Sequence, residues 1–206
     1  RNAVRHWLEK HEAGDKVLVS VSGGADSLAL AYALAVEAKK LAITVIGVTV
    51  DHQLQSQSSV QAEKVVNQLN DFQLECVVKK VVIDIKDGLE ASARKARYQA
   101  LEEVATDENA VAVFLGHTKD DQAESVLLGL ARGSGTRSLS GMATENGKYL
   151  RPFLQVTRQE TEEACQELGL EIWNDPHNFN ADFTRVKVRR EVIPYLEDNL
   201  DPGISR

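Results

Sequence analysis

One strand–loop–helix unit near the start constrains this chain more than anything else in it. The apolar run Val17-Leu18-Val19-Ser20-Val21 reads as a buried strand, and Leu28-Ala29-Leu30-Ala31-Tyr32-Ala33-Leu34 carries a helical pattern. Between them stands Ser22-Gly23-Gly24-Ala25-Asp26-Ser27. Glycines at such a turn let backbone N–H groups approach an oxyanion, and the helix N-terminus adds partial positive charge. Ser22 and Ser27 add hydroxyl donors without bulk. A bare Gly-Gly would make only a tight turn. Two serines and an aspartate around it, at a strand-to-helix junction, point to a phosphate-binding loop running from Ser22 to Ser27. The loop lacks the Gly-Lys-Ser/Thr ending of the nucleoside-triphosphate P-loop and the three-glycine spacing of a dinucleotide fingerprint.

Apolar, β-rich runs recur along the chain with helical patterns between them. Strands are expected at Val17–Val21, Ile43–Val50, Cys76–Ile83 and Val111–Leu115, with a weaker one near Leu170–Trp173. Helices are expected at Leu28–Lys39, Ser59–Phe72, Glu90–Thr106, Gln122–Leu130 and Arg158–Leu168, the last opened by the capping box Thr157-Arg158-Gln159-Glu160. The alternation predicts an α/β fold: a doubly wound parallel sheet of about five strands with helices on both faces. Ligands of such sheets sit beyond the carboxyl ends of the strands, where Ser22–Ser27 falls. Two further expected strand ends run into polar residues, Asp51-His52-Gln53 and Gly116-His117-Thr118-Lys119-Asp120-Asp121. The Gly-, Ser- and Thr-rich segment Arg132–Gly147 is expected to be a mobile loop over the site.

A chain of 206 residues with 43% hydrophobic and 27% charged residues suits one sizeable soluble domain. No apolar run approaches the roughly 20 residues that span a bilayer, and Arg1–Leu8 has no signal-peptide core, so no membrane association and a cytoplasmic location are expected. The chain opens on Arg1 rather than Met, and further domains are expected beyond its ends. A net charge of -7 argues against a surface that grips nucleic acid everywhere, although Arg94/Arg97, Arg132/Arg137 and Arg185–Arg190 cluster locally. Cys76 and Cys165 form no Cys-x-x-Cys pair and read as small buried hydrophobes.

Asp121 and Glu124 lie three apart on an expected helix and share a face, while Asp120 points elsewhere. Such a pair holds Mg²⁺, grips an ammonium group, or decorates a first turn where acids suit the helix dipole. Spacing alone leaves all three open.

Several stretches resemble a known family. Ser22–Ser27 is similar to the Ser-Gly-Gly-x-Asp-Ser pyrophosphate loop of ATP pyrophosphatases, which cleave ATP between its α and β phosphates. Gly116-His117-Thr118-Lys119-Asp120-Asp121-Gln122-Ala123-Glu124-Ser125 resembles the Gly-His-x-x-Asp-Asp-Gln-x-Glu-Thr motif of the tRNA(Ile)-lysidine synthetases and their tRNA-thiolating relatives. Glu90–Tyr98 resembles their Glu-x-x-Ala-Arg-x-x-Arg-Tyr helix, and Arg132-Gly133-Ser134-Gly135 follows at the family spacing. Arg151-Pro152-Phe153-Leu154 resembles their Arg-Pro-Leu-Leu strand. Asp175-Pro176-His177-Asn178, then Arg185, Arg189 and Ile193-Pro194-Tyr195-Leu196, resemble the segment that follows. Ser125 and Phe153 depart mildly from the family pattern, and the asparagine often seen after the first arginine is absent at Val186.

The resemblance implies an adenine nucleotide alpha hydrolase-like fold, with residues 1–174 as a PP-loop catalytic domain and 175–206 as a helical extension. It implies that ATP adenylates C2 of the wobble cytidine of a tRNA(Ile) with a CAU anticodon, after which free L-lysine displaces AMP. On that reading Ser22, Gly23, Gly24, Ala25, Asp26 and Ser27 bind ATP, and Asp26 holds Mg²⁺. Asp121 and Glu124 bind and help deprotonate the lysine ammonium group. Arg94, Arg97, Arg132 and Arg151 contact phosphate or the developing AMP, with Arg97 and Arg132 the catalytic pair. For Arg94 and Arg97 helix-surface ion pairing with Glu90 stands as the alternative, and for His117 proton transfer stands beside a helix-capping role. Two rivals share the ground: a tRNA thiolase of the same fold, disfavoured by the missing Cys-x-x-Cys, and a universal-stress-type ATP sensor, which has no need of Asp121, Glu124 or the arginines.

Overall fold

The computed structural model describes residues 1–53, 58–84, 88–133, 139–173 and 184–204. Helix α1 (Asn2–Leu8) precedes β1 (Lys16–Ser20), α2 (Ala25–Ala38) and β2 (Thr44–Asp51). The alternation continues with α3 (Ser58–Asp71), β3 (Glu75–Lys80), α4 (Leu89–Asp107) and β4 (Ala112–Phe114). Then come α5 (Lys119–Ala131), the short strands β5 (Glu145–Asn146) and β6 (Tyr149–Leu150), and α6 (Arg158–Glu167). In the C-terminal part lie α7 (Thr184–Lys187), a π-helical turn (Val188–Val192) and α8 (Ile193–Asn199). Among the described residues no helix is long and apolar enough to cross a membrane.

The strands form one sheet in the order β3-β2-β1-β4-β6-β5, with every pairing parallel except β5 with β6. Five strands are therefore parallel, as expected, but the fifth is β6 and not Leu170–Trp173. Leu170 and Ile172 pack on the core, and the Trp173 N–H donates to Gly23 O at 2.8 Å, so this segment buttresses the loop after β1. A two-residue strand such as β6 leaves no periodic signal.

β1 shows why the sheet needs helices on both faces. Val17 and Val19 point into one core with Leu28, Leu34 and Val65, and Leu18 points into the other with Leu101 and Val104. All five of these helix residues and the two valines and leucine of β1 are almost fully buried. Strands covered on both sides carry unbroken apolar runs. Helix α2 is likewise buried around most of its circumference, which explains its alanine content.

The expected mobile loop contains order. Gln122 pairs through both ends of its side-chain amide with Met142, Nε2 donating to Met142 O (2.8 Å) and Met142 N–H donating to Oε1 (2.5 Å). Arg151 donates to Ala143 O at 2.9 Å. Residues 134–138, with Ser134, Gly135 and Arg137, lie outside the described residues, as do Asp175–Asn178 and the boundary expected between 174 and 175.

Candidate functional site

In chain order the sheet grows from β1 to β2 and β3 on one side, then returns to β4 on the other. The crevice beyond the carboxyl ends of β1 and β4 is thus the switch point where doubly wound sheets bind ligands. A cavity of about 670 Å³ occupies it, within the size range of small-molecule sites.

Its floor is the loop after β1. Gly23 adopts φ +87°, and a Cβ there would strike Gln61 Nε2 and come within 3.1 Å of Val65. Gly24 has an ordinary φ of -75° and is the N-cap of α2, which starts at Ala25 rather than at Leu28. Ala25, Asp26 and Ser27 therefore form the first helical turn, whose N–H groups have no intrahelical acceptor. One serine hydroxyl fixes the loop: Ser27 Oγ accepts from Ser22 N–H (3.1 Å) and donates to Gly24 O (2.9 Å). Gly116, at the end of β4, lies so close that a Cβ would be 3.1 Å from the Asp26 carbonyl. A side chain at position 116 would press against the backbone of the first turn of α2.

Opposite the loop stands a cluster of carboxylates and guanidiniums drawn from four elements. Asp121 is the N3 residue of α5, and its Oδ2 accepts from Thr118 N–H (2.9 Å) and Thr118 Oγ1 (3.2 Å). Thr118 and Asp121 thus make the cap of α5, a role the sequence left open for His117. Asp121 Oδ1 faces Arg158 (3.4 Å), Arg185 (3.7 Å) and Arg189 (3.8 Å). Burial would raise the Asp121 carboxyl, but the Thr118 N–H and the Arg158 and Arg185 guanidiniums outweigh it and hold it below the usual carboxylate range.

Glu124 is different. It is fully buried, and its two oxygens are held by Arg185 Nε (2.7 Å) and by Arg189 Nε (2.5 Å) and Nη2 (3.1 Å). Asp121 lines the cavity and Glu124 does not. The pair shares a helix face, yet presents one carboxylate to the cavity and one to the C-terminal arginines.

Asp26 is pushed up to about 6 by burial, against the opposing pull of the Thr161 hydroxyl, which hydrogen-bonds Oδ1, and of Arg158, 3.6 Å from Oδ2. Arg158 was legible in the sequence only as part of a capping box. That box forms, with Thr157 N–H donating to Glu160 Oε2 (2.7 Å), and it sets the Arg158 side chain between Asp26, Asp121 and Glu124. Charge patterning offered no signal for it, because its partners lie 34 or more residues away.

Arg97 and Arg94 line the cavity. Arg97 is half-buried, its Nε is buried with no hydrogen-bond partner among the described residues, and burial followed by repulsion from Arg94 lowers its pKa. A buried guanidinium nitrogen without a partner calls for an anion. Arg94 stacks over Tyr98, with 5.0 Å from its guanidinium carbon to the ring centroid. His117 also faces the cavity; burial, with Arg151, Arg97 and Arg94 nearby, pushes it down to about 3, so it is a neutral imidazole at neutral pH. Two of the expected arginines stand apart. Arg151 is buried and donates to Ala143 O (2.9 Å) and Tyr98 Oη (3.3 Å), bracing the wall from behind. Arg132 is exposed at the C-cap of α5, eleven residues and about 16 Å of helix beyond Asp121, and does not line the cavity.

Among the described residues no three His, Cys, Asp or Glu side chains group as a metal site. The donor set fits Mg²⁺ in another mode, in which one carboxylate, here Asp26, joins nucleotide phosphates and water around the ion. Cys165 is buried and Cys76 half-buried, and burial pushes both thiols up to about 11.

The ATP-binding PP-loop domain matches residues 2–196. The tRNA(Ile)-lysidine synthase of Thermobifida fusca is 52% identical over all of this chain, which covers 64% of that protein. The tRNA(Ile)-lysidine synthase of Streptomyces coelicolor is 54% identical over 91% of this chain and 54% of its own length. The chain thus spans rather more than half the length of these curated relatives. The U34-tRNA thiolase NcsA of Methanococcus maripaludis, solved with its [4Fe-4S] cluster, superposes with a TM-score of 0.81 at 19% identity, over 99% of this chain and 74% of that one. At that identity the likeness is one of fold. The loop after β1, the switch-point cavity and the family match agree, and the chain belongs to the PP-loop family of ATP-binding domains.

Proposed function

We propose that this chain carries the catalytic centre of ATP-dependent lysidine formation. The observation that supports it most directly is that the phosphate loop and the cavity-facing Asp121 bound one cavity. The loop N–H groups hold the pyrophosphate part of ATP and stabilise its charge as it leaves. The C2 oxygen of the wobble cytidine of a tRNA(Ile) with a CAU anticodon attacks the α-phosphate and releases pyrophosphate. The ε-ammonium group of free L-lysine gives one proton to solvent, the neutral amine attacks C2, the C2–O bond breaks so that the oxygen leaves with AMP, and the attached nitrogen releases a second proton to solvent. Asp26 would hold Mg²⁺, which when bound would neutralise charge at the phosphates.

Asp121 is the carboxylate in reach of the lysine ammonium group. Held below the ordinary range, it stays ionised and offers charge rather than a sink for the proton. Glu124 serves this subsite indirectly, through Arg185 and Arg189. Arg97 and Arg94 supply positive charge to the AMP moiety, and a contribution from Arg132 requires the tRNA to reach the far end of α5. Identity to lysidine synthases over nearly the whole chain supports this reading over thiolation. So do the two cysteines of this chain, one buried and one half-buried, too few for the thiolates a cluster takes.

The test offers ATP, labelled lysine and pooled tRNA to the full-length protein. Label in RNA with AMP and pyrophosphate as products is expected; ADP as main product refutes the reading. Asp121→Asn keeps an acceptor for the Thr118 cap, and should raise the KM for lysine about tenfold or more with little change in ATP affinity. Collapse of ATP affinity with an unmoved lysine KM would reassign Asp121 to the metal.

A further inference from the structure

Arg158 differs from the other arginines of the cluster in how it is held. Arg185 and Arg189 reach Glu124 at 2.7 and 2.5 Å, the lengths of committed charge-assisted bonds. The Arg158 guanidinium lies 3.6 Å from Asp26, 3.4 Å from Asp121 and 3.7 Å from Glu124. It is shared among three carboxylates and bound tightly by none. Its backbone, by contrast, is fixed: its N–H donates to Asp120 Oδ2 at 2.8 Å, and the preceding turn is tied through Lys119 N–H to Val156 O at 2.9 Å. One turn on, Thr161 bonds Asp26 itself. A long side chain thus stands on a rigid base, loosely engaged, lining the cavity within 4 Å of a phosphate-loop residue.

A phosphate chain on that loop offers a guanidinium more charge and a bidentate geometry, which three splayed carboxylates do not. Nothing bonded at short range opposes the transfer. We propose that Arg158 is a phosphate-binding residue that ATP draws away from the carboxylates, and that its departure opens Asp121 to the amine of the second substrate. Nucleotide binding would then strengthen amine binding, and by thermodynamic linkage the amine would strengthen nucleotide binding by the same factor. The amine half of this inference rests on the lysine reading above; the phosphate half does not.

The experiment is calorimetric titration of the full-length protein with adenosine, with non-cleavable α,β-methylene-ATP plus Mg²⁺, and with lysine alone and in the presence of the analogue. Arg158→Gln should weaken the analogue about ten- to a hundredfold and leave adenosine unchanged, while Arg158→Lys recovers part of the loss. In the unmodified protein the analogue should tighten lysine about fivefold or more, and in Arg158→Gln that dependence should vanish. Equal losses for adenosine and the analogue would reveal a purely structural residue and overturn the proposal, as would no loss for either. Silent lysine titrations in the unmodified protein would overturn the lysine reading and the opening of Asp121 with it, while the nucleotide series still decides the phosphate contact.

Discussion

At Gly23 the backbone runs at φ +87° with Gln61, Val65 and Trp173 crowding the place of a side chain, whereas at Gly24 φ is -75° and a Cβ would meet only Ser22 Oγ, at 3.6 Å. The neighbours therefore fail differently when changed. Gly23→Ala is expected to cost about 1–3 kcal/mol of stability, from strain in the left-handed region and the clash with Gln61. Gly24→Ala should stay within about 0.5 kcal/mol of the unmodified protein, because neither conformation nor packing objects. Gly24→Val keeps the fold but fills the space over the loop, and should abolish ATP binding. Urea denaturation and nucleotide titration of the three variants check this. Unchanged ATP affinity in Gly24→Val would remove the loop from the phosphate site. Two adjacent glycines look alike in sequence, and only the backbone angles separate their tasks.

Among the elements, α1 shows how a short helix is held to a buried one. Its Val4 and Leu8 are fully buried, and Arg5 Nε donates to Glu37 Oε2 at 3.0 Å on the otherwise apolar α2. Lys40 donates to the other oxygen at 2.8 Å. Those two bonds push the Glu37 carboxyl down to about 2, below its ordinary 4.5. A depressed acid stabilises the fold at pH values above its unfolded pKa, and loses that contribution as pH falls through the folded one. The gap in urea midpoint between the unmodified protein and Arg5→Met should be full at pH 7 and shrink as pH drops from about 4.5 towards 2. A constant gap would mean that Arg5 acts by packing its stem rather than by its charge. Elements of this length mark the limit of what the sequence reveals. Long apolar runs and capping boxes placed β1 to β4 and α2 to α6 within a few residues. The strand expected at Leu170–Trp173 failed because its alternation serves the loop at Gly23, and β6 won the sheet position with two residues. The candidate site followed the same rule: the Ser22–Ser27 loop and Asp121 are local motifs, and the structure brings both to one cavity. Arg158, and the enclosure of Glu124 by Arg185 and Arg189, depend on contacts 34 to 132 residues apart in sequence and left no local signal.

Across the whole molecule, the C-terminal helices and the α/β layers meet at a charged seam. The buried residues of α5 are Asp121, at the cavity, and Glu124, the reverse of an ordinary helix that hides an apolar stripe. Against them lie α7 and the π-helical turn, with Arg185 and Arg189 on Glu124 and with Val186 and Val188 buried beside them. Removing one member of a fully buried ion pair costs about 3–5 kcal/mol, because the partner is left without water or counter-charge. Here the arginine side chains are 24% and 29% exposed, so they can turn to solvent when Glu124 is neutral, and the cost should fall below that range. Glu124→Gln is therefore expected to loosen the C-terminal helices without melting the sheet. In hydrogen-exchange mass spectrometry, amides of residues 184–199 should lose protection while those of β1, β2 and β4 keep theirs, in line with sub-global opening of a weakly anchored unit. The same variant should bind adenosine normally, because the loop at Ser22–Ser27 is held by its own serines and by Trp173. Loss of protection in β1 together with residues 184–199 would show that the charged seam holds the entire fold, and that the C-terminal helices are not a separable cover on the site.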